Sequence, residues 1–221
     1  RVLAWLLTAM ALQLLWQGEA GEQALTVSEV VQGVREGDAG PCLWCLTPSA
    51  LRNSRGQVSR WRALLMPWLQ HILLAVCGQA MPTRVISAGG SVTWAPPTQA
   101  AALAWWHHLL DAWADGQCQA LPFEADTAFA AAAAWREADA PEVRVTRMQA
   151  AATPVYDGAP GGRFPAAARA PLGWLWPDAE ALMADGRFLR LSEQLFLPIV
   201  QATLAGGGEA GGAASDREGP A

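Results

Sequence analysis

The sequence predicts an α/β domain, and two patterns along the chain indicate this class. Short runs rich in β-branched residues are separated by glycine turns, as in "LTVSEVV" and "TRVISAGGSVTW", and such runs are typical of strands. Apolar residues recur at helical spacing over the longer segments that lie between and after these runs. The chain has 221 residues, is 52% hydrophobic and contains 12 Trp, which is enough for one sizeable hydrophobic core.

The first apolar run, Val2 to Trp16, has two interpretations. Arg1 precedes the run, and the small residues Gly18 and Ala20 follow it, which is the pattern of a secretory leader. The run also has a helical stripe with mostly apolar flanks, which predicts a buried helix. A helix of 15 residues would be about 22 Å long, short of the roughly 30 Å needed to cross a bilayer.

The next segments predict strands and then a long helix. "LTVSEVV" is a predicted strand, "GDAG" a turn and "PCLWCL" a short buried strand. Ser59 is the expected N-cap of the helix, Pro67 is expected to kink or split it, and Gly78 to end it. The predicted apolar stripe of this helix consists of Trp61, Leu65, Trp68, Ile72 and Val76.

A hairpin and further helices are predicted downstream. "TRVISAGGSVTWAPP" reads as a hairpin about a Gly-Gly turn. Thr98 should cap a helix that ends at Gly116, and Asp126 should cap a helix in "DTAFAAAAAWREA". Residues 141–177 are rich in Pro, Gly and Ala and are expected to be mainly loop. The second helix has the predicted stripe Leu103, Trp106, Leu110 and Trp113, and a last helix, opened by Asp185 and Gly186 and interrupted or ended by Pro198, has the stripe Phe188, Leu191 and Leu195.

The domain organisation follows from these elements. We expect one domain over residues 1–205, followed by a flexible Gly/Ala-rich tail over residues 206–221, because the tail lacks core-forming residues. The chain begins with Arg1 instead of methionine, which is consistent with a fragment, a processed product or a shortened chain. Of these we expect a fragment of a larger chain, partial at its N-terminal side.

Charge and lysine usage exclude several functions. All 15 basic residues are arginine, so a P-loop, a Schiff-base enzyme or a complete D…(D/E)xK nuclease site would lack its lysine. The net charge is −5, which argues against a protein that coats nucleic acid with its whole surface. The segment from Ala39 to Leu110 nevertheless contains no Asp or Glu and has five arginines, so it forms a locally basic region.

The cysteines and acidic pairs leave alternatives open. "CLWC" has the spacing of a zinc knuckle, but a second close pair is missing, so a small zinc-binding module is one alternative and a buried strand is the favoured interpretation. An exported four-cysteine protein with a cleaved leader is another alternative. The pairs Glu124 with Asp126 and Asp178 with Glu180 lie where helix-capping acids are expected.

The order of four segments resembles the C-terminal domain family of RecC, the gamma subunit of exodeoxyribonuclease V. The segments are "LRNSRGQVSRWRALLMPWLQHILLAVCG", "TRVISAGGSVTWAPP", "AALAWWHHLLDAWADGQCQALPF" and "RFLRLSEQLFLPIV". The resemblance covers roughly Leu51 to Leu204, and more weakly the segment from Leu25. Residues 136–180 diverge from it.

The resemblance implies a restriction-endonuclease-like domain, a small mixed sheet with flanking helices, that has lost its catalytic residues. Such a domain is a scaffold of a bacterial, cytoplasmic complex that processes double-strand DNA ends for recombinational repair. The implied partners are RecB-like and RecD-like subunits and, through the complex, duplex and single-stranded DNA, without a membrane. The complex uses ATP and Mg²⁺ on other subunits, so no cofactor is expected here. The resemblance also favours a core helix for the first apolar run.

The candidate site residues follow from the same comparison. The strands before the long helix should carry the carboxylates and lysine of an active nuclease, but here Glu29 and Asp38 are single acids and "PCLWCL" has neither acid nor lysine. We therefore expect no catalytic and no metal-binding residues. The remaining candidates contact DNA or a partner protein, and they are Arg52, Arg55, Arg60 and Arg62.

Overall fold

The computed structural model describes residues 5–18, 21–37, 39–159 and 165–206, and for residues 5–29 the backbone alone. The strands are β1 Trp5–Gly18, β2 Gly21–Gly37, β3 Gly40–Leu46, β4 Thr83–Ser87 and β5 Gly90–Trp94. The helices are α1 Leu65–Val76, α2 Gln99–Cys118, α3 Ala125–Ala134, α4 Pro141–Tyr156, α5 Leu172–Leu175, α6 Ala179–Met183, α7 Arg187–Leu191 and α8 Leu197–Ala205.

The five strands form one sheet in the order β1-β2-β3-β4-β5. Only β3 and β4 pair in parallel, and the other three neighbouring pairs are antiparallel. The parallel pair requires a crossover, which contains α1 and runs from one end of the sheet back to the other. The predicted α/β class, with a mixed sheet and flanking helices, is confirmed.

The described part of the first apolar run, from Trp5 to Trp16, is a strand, so the prediction of a core helix was wrong there. β1 pairs antiparallel with β2 from Trp5 opposite Arg35 to Gly18 opposite Gly21. A run that is apolar on all faces has no period that distinguishes a buried helix from a strand, so the decision lies with the partner segment. Here the partner is "LTVSEVV", which lies within β2 and is confirmed as a strand.

The segment "PCLWCL" forms β3, but only one of its two faces is buried. Leu43 is completely buried, and Cys45 Sγ lies 3.7 Å from Gln70 Oε1 on α1. Trp44 and Leu46 lie on the opposite face, and Leu46 is 75% exposed. Since Cys42 and Cys45 are three residues apart in a strand, their side chains point to opposite faces, which does not favour a shared zinc knuckle.

The helix after β3 starts later than predicted. A 3₁₀ turn, Trp61–Leu64, precedes α1, and Arg60 instead of Ser59 holds the cap position, without a side-chain hydrogen bond. Pro67 lies in the first turn of α1, where no intrahelical partner for its missing N–H is needed. Gly78 follows the helix with φ of +75°, as expected for a stop signal.

The predicted hairpin is formed by β4 and β5, and the helix after it begins as expected. Thr98 Oγ1 accepts a hydrogen bond of 3.2 Å from the Ala101 N–H, which confirms the cap of α2. The helix continues to Cys118, past the predicted end at Gly116. Trp106 and Leu110 of the predicted stripe are buried, whereas Trp113 is 52% exposed. The buried face of α2 also includes Trp105, which the predicted stripe omits.

Residues 141–177 were expected to be loop, but they contain α4, a helix of 16 residues. Pro141 is the first helical residue, where proline is well tolerated, and alanine has the highest helix propensity of all residues. Met148, Ala152 and Tyr156 form its buried stripe. Proline and alanine content alone therefore misled the prediction.

The C-terminal helices form a nearly continuous rod. Asp185 Oδ1 accepts a 2.9 Å hydrogen bond from the Arg187 N–H, which confirms the predicted start. A π turn, Ser192–Phe196, joins α7 to α8, and Pro198 lies in the first turn of α8. The predicted stripe of Phe188, Leu191 and Leu195 is buried.

One hydrophobic core extends from the inner face of the sheet through α1 and α2 to the C-terminal helices. Gly206, the first residue of the predicted tail, closes α8 against Thr93, and the rest of the tail lies outside the described residues. No helix within the described residues is both long and apolar enough to cross a membrane.

Candidate binding sites

The four candidate arginines lie in the strand-to-helix corner, which we define as residues 51–62. Leu51 is completely buried, and its N–H donates to Ser87 Oγ at 3.2 Å, which anchors the corner to β4. Asn53 Oδ1 accepts hydrogen bonds from the backbone N–H groups of Arg55 (2.9 Å) and Gln57 (3.0 Å). The corner is therefore an ordered turn held by an asparagine side chain.

Arg52 binds the backbone of its own domain. Its Nη1 donates to the Gly56 carbonyl at 2.7 Å, and its Nε and Nη2 donate to the Ser91 carbonyl at 3.4 Å and 3.3 Å. These acceptors are neutral, so they fix the guanidinium without cancelling its charge. Arg52 thus joins the corner to the start of β5.

Arg55 and Arg60 are the accessible members of the set. Both side chains are exposed, and neither guanidinium has a hydrogen bond or an ion pair with any of the described residues. Arg60 lies at the start of the 3₁₀ turn, where a positive charge is unfavourable to the helix dipole. These two side chains are free to contact another molecule.

Arg62 points toward acids of α3. Its Nη1 lies 3.7 Å from Asp126 Oδ2 and 3.9 Å from Glu124 Oε1. Arg169 Nη1 approaches the same Glu124 oxygen at 3.3 Å. An acid within the fold therefore accounts for the position of Arg62, in contrast to Arg55 and Arg60.

Glu124 is the buried centre of this charge network and the cap of α3. It is 7% exposed, and its Oε2 accepts hydrogen bonds of 2.8 Å from both the N–H and the hydroxyl of Thr127. Asp126 lies in the first turn and does not cap the helix as predicted. The structural role expected for the acid pairs holds, since Asp178 likewise caps α6.

A cleft of about 420 Å³ opens beside Glu124, between the 3₁₀ turn, α3 and the end of α4. Trp61 and Phe129 stack in its wall with ring centroids 5.6 Å apart. Arg169 and Asp126 lie at its edge. The charges at the cleft are paired with one another, so the cleft has no uncompensated charge of its own.

A second cationic group lies on the outer face of the sheet. The guanidinium carbons of Arg35 and Arg84 lie 5.1 Å and 6.0 Å from the ring centroid of Trp44. These are cation–π distances. Burial raises the pKa of the neighbouring Cys42 thiol, while the Trp44 and Arg84 groups oppose that rise.

The histidines do not form a metal site. His71 is buried, with Nδ1 2.8 Å from Thr83 Oγ1, and burial lowers its pKa to about 4. His107 is exposed and His108 lies at the rim of a cavity. Within the described residues, no group of three or more His, Cys, Asp or Glu side chains could hold a metal ion.

The strands on which an active nuclease would carry its metal-binding acids have few acidic residues in the described part of the chain. The backbone of Glu29 lies in β2 opposite Met10. Asp38 lies outside the described residues. β3, which runs beside β2, has no acid and no lysine. The strands β1, β3, β4 and β5 contain no acid, so the acids of the described sheet, Glu22, Glu29 and Glu36, all lie on β2.

Two features escaped the sequence analysis. One is the role of Glu124 as a shared partner of Arg62 and Arg169, which are distant from it along the chain. The other is a cavity of about 590 Å³ lined by Trp68 and Trp105. The high number of tryptophans is the one sequence feature that points to such a cavity. It does not show which tryptophans line the same cavity.

Comparison with protein families gives a match over residues 5–136 to the family described as the RecC C-terminal domain. The match includes all five strands, the corner, α1, α2 and α3. The family match begins at residue 5, before the segment from Leu51 on which the resemblance mainly rests. It ends before α4 and the later helices, so the resemblance of the segment "RFLRLSEQLFLPIV" stays a prediction. Comparison with curated proteins gives no match. Since the family match covers more than half of the 221 residues, the chain belongs to the RecC C-terminal domain family.

Proposed function

We propose that this chain is a non-catalytic scaffold domain of the gamma subunit of a bacterial helicase–nuclease complex. Its partners would be RecB-like and RecD-like subunits in a cytoplasmic complex that processes double-strand DNA ends for recombinational repair. The family match over residues 5–136 carries this proposal. Residues 1–205 would form the scaffold domain, and ATP and Mg²⁺ would act on the other subunits.

The lack of catalysis is supported by the sheet. In a D…(D/E)xK nuclease, carboxylates and a lysine on adjacent strands hold the metal ion and assist the reaction. Here β3 has neither residue type, and the chain has no lysine. The path from β2 through β3 and the α1 crossover to β4 is compatible with a nuclease-like domain that has lost this site.

Digestion of linear duplex and single-stranded DNA with Mg²⁺ or Mn²⁺ tests this part of the proposal. We expect no cleavage above the level of a buffer control. Glu29→Ala is the matched variant, because Glu29 is an acid of β2. Cleavage that copurifies with the chain and disappears in Glu29→Ala would contradict the proposal.

We further propose that the arginines of the corner contact an acidic surface of a partner subunit. Arg55 and Arg60 are exposed and unpaired among the described residues, so they would make the contact directly. Arg52 holds the corner against Ser91, and Arg62 is partly neutralised by Asp126, so both would contribute indirectly. The acidic balance of the whole chain, with a net charge of −5, favours a protein partner over DNA phosphate.

Reconstitution of the complex with changed arginines separates these roles. We expect the quadruple change of Arg52, Arg55, Arg60 and Arg62 to Ala to weaken subunit assembly. The double variant Arg55→Ala/Arg60→Ala should reproduce most of this loss, whereas Arg52→Ala/Arg62→Ala should mainly lower stability. Each exposed arginine alone should contribute about 1 kcal/mol or less.

Two outcomes would contradict the assembly role. Intact assembly with reduced DNA-end binding, and a salt dependence that falls by about one unit of slope per lost contact, would assign the arginines to DNA phosphate. Normal assembly, DNA binding and unwinding in the quadruple variant would leave them as a solvated surface.

A further inference from the structure

The outer face of the sheet, the face that holds Trp44 and Arg84, has a positive charge without a partner among the described residues. Arg84 is exposed, and its guanidinium carbon lies 6.0 Å from the ring centroid of Trp44. No carboxylate in the described part of the chain lies within ion-pair distance of Arg84. The strands β3, β4 and β5 contain no acid. This face is therefore complementary to an anionic occupant.

A second cation lies at the edge of the same sheet. The Nε and Nη2 groups of Arg52 donate to the Ser91 carbonyl, and β5 is the last strand of the sheet. Ser91 and Thr93 are two residues apart on β5, so their carbonyls point the same way and lie about 7 Å apart. Arg84 lies opposite Thr93 on the neighbouring strand. Thr93 is thus flanked by Arg52 along its own strand and by Arg84 across the sheet.

The chain leaves α8 at this point of the sheet. Gly206, the last residue that the structure describes, packs so closely on Thr93 that a Cβ at this position would collide with the Thr93 carbonyl oxygen. The approach therefore requires a glycine. Because the chain is continuous, the segment that follows Gly206 is tethered beside Arg52 and Arg84.

The segment after Gly206, residues 207–221, has the charge that the outer face lacks, and we call it the acidic tail. Its charged residues are one arginine, Arg217, and three acids, Glu209, Asp216 and Glu218. Glu209 is three residues from Gly206, a reach of about 10 Å, whereas Arg84 lies one strand beyond Thr93, about 5 Å away. The other residues of the acidic tail are mostly glycine and alanine, which have no bulk that would keep the carboxylates from the sheet.

We propose that the acidic tail binds back across the edge of β5 onto the outer face, with the Glu209 carboxylate paired to Arg84. The bound tail is an internal anion that covers Arg84 and Arg52, and it thereby lowers the affinity of this face for nucleic acid. A short tether gives an effective concentration in the millimolar range, so weak contacts are sufficient to occupy the face. The proposal goes beyond the assembly role of the corner, because Arg84 lies outside the corner.

The test compares two variants of the 221-residue chain that have the same net charge. The neutral-tail variant carries Glu209→Gln, Asp216→Asn and Glu218→Gln. The matched control neutralises three exposed acids of the helices and their connections, through Glu137→Gln, Glu142→Gln and Glu180→Gln. The probe is a fluorescein-labelled thymidine oligonucleotide, and its binding is measured by fluorescence anisotropy at low salt without divalent cations. Circular dichroism verifies that each variant is folded.

We expect the neutral-tail variant to bind the probe at least threefold more tightly than the unchanged chain. The matched control should stay within about 1.5-fold of the unchanged chain. Adding Arg84→Gln to both the unchanged and the neutral-tail chain should remove most of the difference between them, because the acidic tail then lacks its main partner. Adding Arg190→Gln, a change at an exposed arginine of α7, should leave the difference as it was.

Nuclear magnetic resonance locates the bound tail. In the ¹⁵N-labelled chain, the amide signal of Thr93 and the indole signal of Trp44 should move between the unchanged and the neutral-tail chain at low salt. The signals of the two chains should coincide in concentrated salt, because salt screens contacts between exposed charges.

Three results would overturn the proposal. Equal probe binding by the unchanged chain, the neutral-tail variant and the matched control would show that the acidic tail covers no cation, and an equal gain in both variants would show an effect of net charge alone. Unmoved signals of Thr93 and Trp44 would place the acidic tail elsewhere. A tail effect that disappears on dilution would assign the acids to the arginines of a second copy. None of these results depends on the nuclease or assembly experiments.

Discussion

The strand-to-helix corner and the tryptophan-lined cavity are built in opposite ways. The corner presents exposed guanidiniums on a turn held by Asn53 and Arg52, whereas the cavity presents buried indoles beneath an exposed Arg190 and an exposed Glu193. Salt screens exposed charges, but it does not weaken the burial of apolar surface. Contacts at the corner should therefore weaken with added salt, and contacts in the cavity should retain most of their strength.

The two regions also differ in what supports them. Trp68 and Trp105 belong to the hydrophobic core, whereas Arg55 and Arg60 project from it. Substitutions near the cavity should therefore change the free energy of unfolding, and substitutions of the exposed arginines should change binding alone. This difference can be tested by comparing the change in the free energy of unfolding that substitutions cause in each of the two regions.

The largest effect is expected behind the cavity, at Trp94. Trp94 is completely buried, packs edge-to-face on Trp68 at 5.2 Å and donates a 3.0 Å hydrogen bond to Thr203. Trp94→Ala should lower the free energy of unfolding by about 3–5 kcal/mol, measured by urea denaturation. The control Trp113→Ala removes an indole that is mostly exposed, and an equal loss there would contradict the distinction between core and surface.

The second effect is a dependence of stability on pH, through His71 beside Trp68. Because the pKa of His71 is lowered to about 4 in the folded chain, protons bind the unfolded chain more readily. Stability should be complete above about pH 6.5 and fall by about 3 kcal/mol by pH 4. Thermal unfolding across this range measures the loss. His71→Gln should flatten the pH dependence, while a change at the exposed His107 should not.

A smaller effect is expected where the corner meets α3. Glu124→Ala removes the cap of α3 and leaves Arg62 and Arg169 without their shared partner. We expect a loss of about 2 kcal/mol, measured by chemical denaturation. Asp126→Ala is the matched control, since Asp126 is more exposed and does not cap the helix. A larger loss for Asp126 than for Glu124 would contradict this assignment.

The smallest effects distinguish the arginines within the corner. Arg52→Ala should cost about 1 kcal/mol, because the hydrogen bonds to Gly56 and Ser91 are lost. Arg55→Ala should change stability by no more than about 0.5 kcal/mol, since Arg55 lies on the surface. Denaturation midpoints of the two variants, measured together, test the difference. Equal midpoints would mean that Arg52 does not hold the corner.

Much of the sheet and of α1 could be predicted because the local signals agree with the final fold. The hairpin of β4 and β5 has both alternating side chains and a glycine turn, and α1 has a clear stripe ended by Gly78. β1 and α4 could not be predicted in the same way. β1 depends on its pairing with β2, and α4 is stabilised by burial of Met148 and Tyr156 against distant elements.

The candidate site was only partly accessible from sequence. The cluster of arginines was visible as a pattern, and the structure separates its members by their partners. Those partners, Ser91 for Arg52 and Glu124 for Arg62, lie on other elements. A single sequence does not specify which distant residues meet, so the distinction between engaged and accessible arginines required the fold.

The π turn gives the C-terminal rod a rotational offset. A π turn holds one more residue than an α-helical turn, so the side chains that follow it are rotated by about 100° about the axis. Before the offset, α7 packs on α3, α4 and α6, and after it α8 packs on α3 and β5. The rod can therefore pack its apolar side chains against both the other helices and the sheet. A uniform α-helix would not direct the same side chains toward both layers. Removal of a single residue, such as Gln194, would turn Thr203 away from Trp94 and uncouple the sheet from the helical layer.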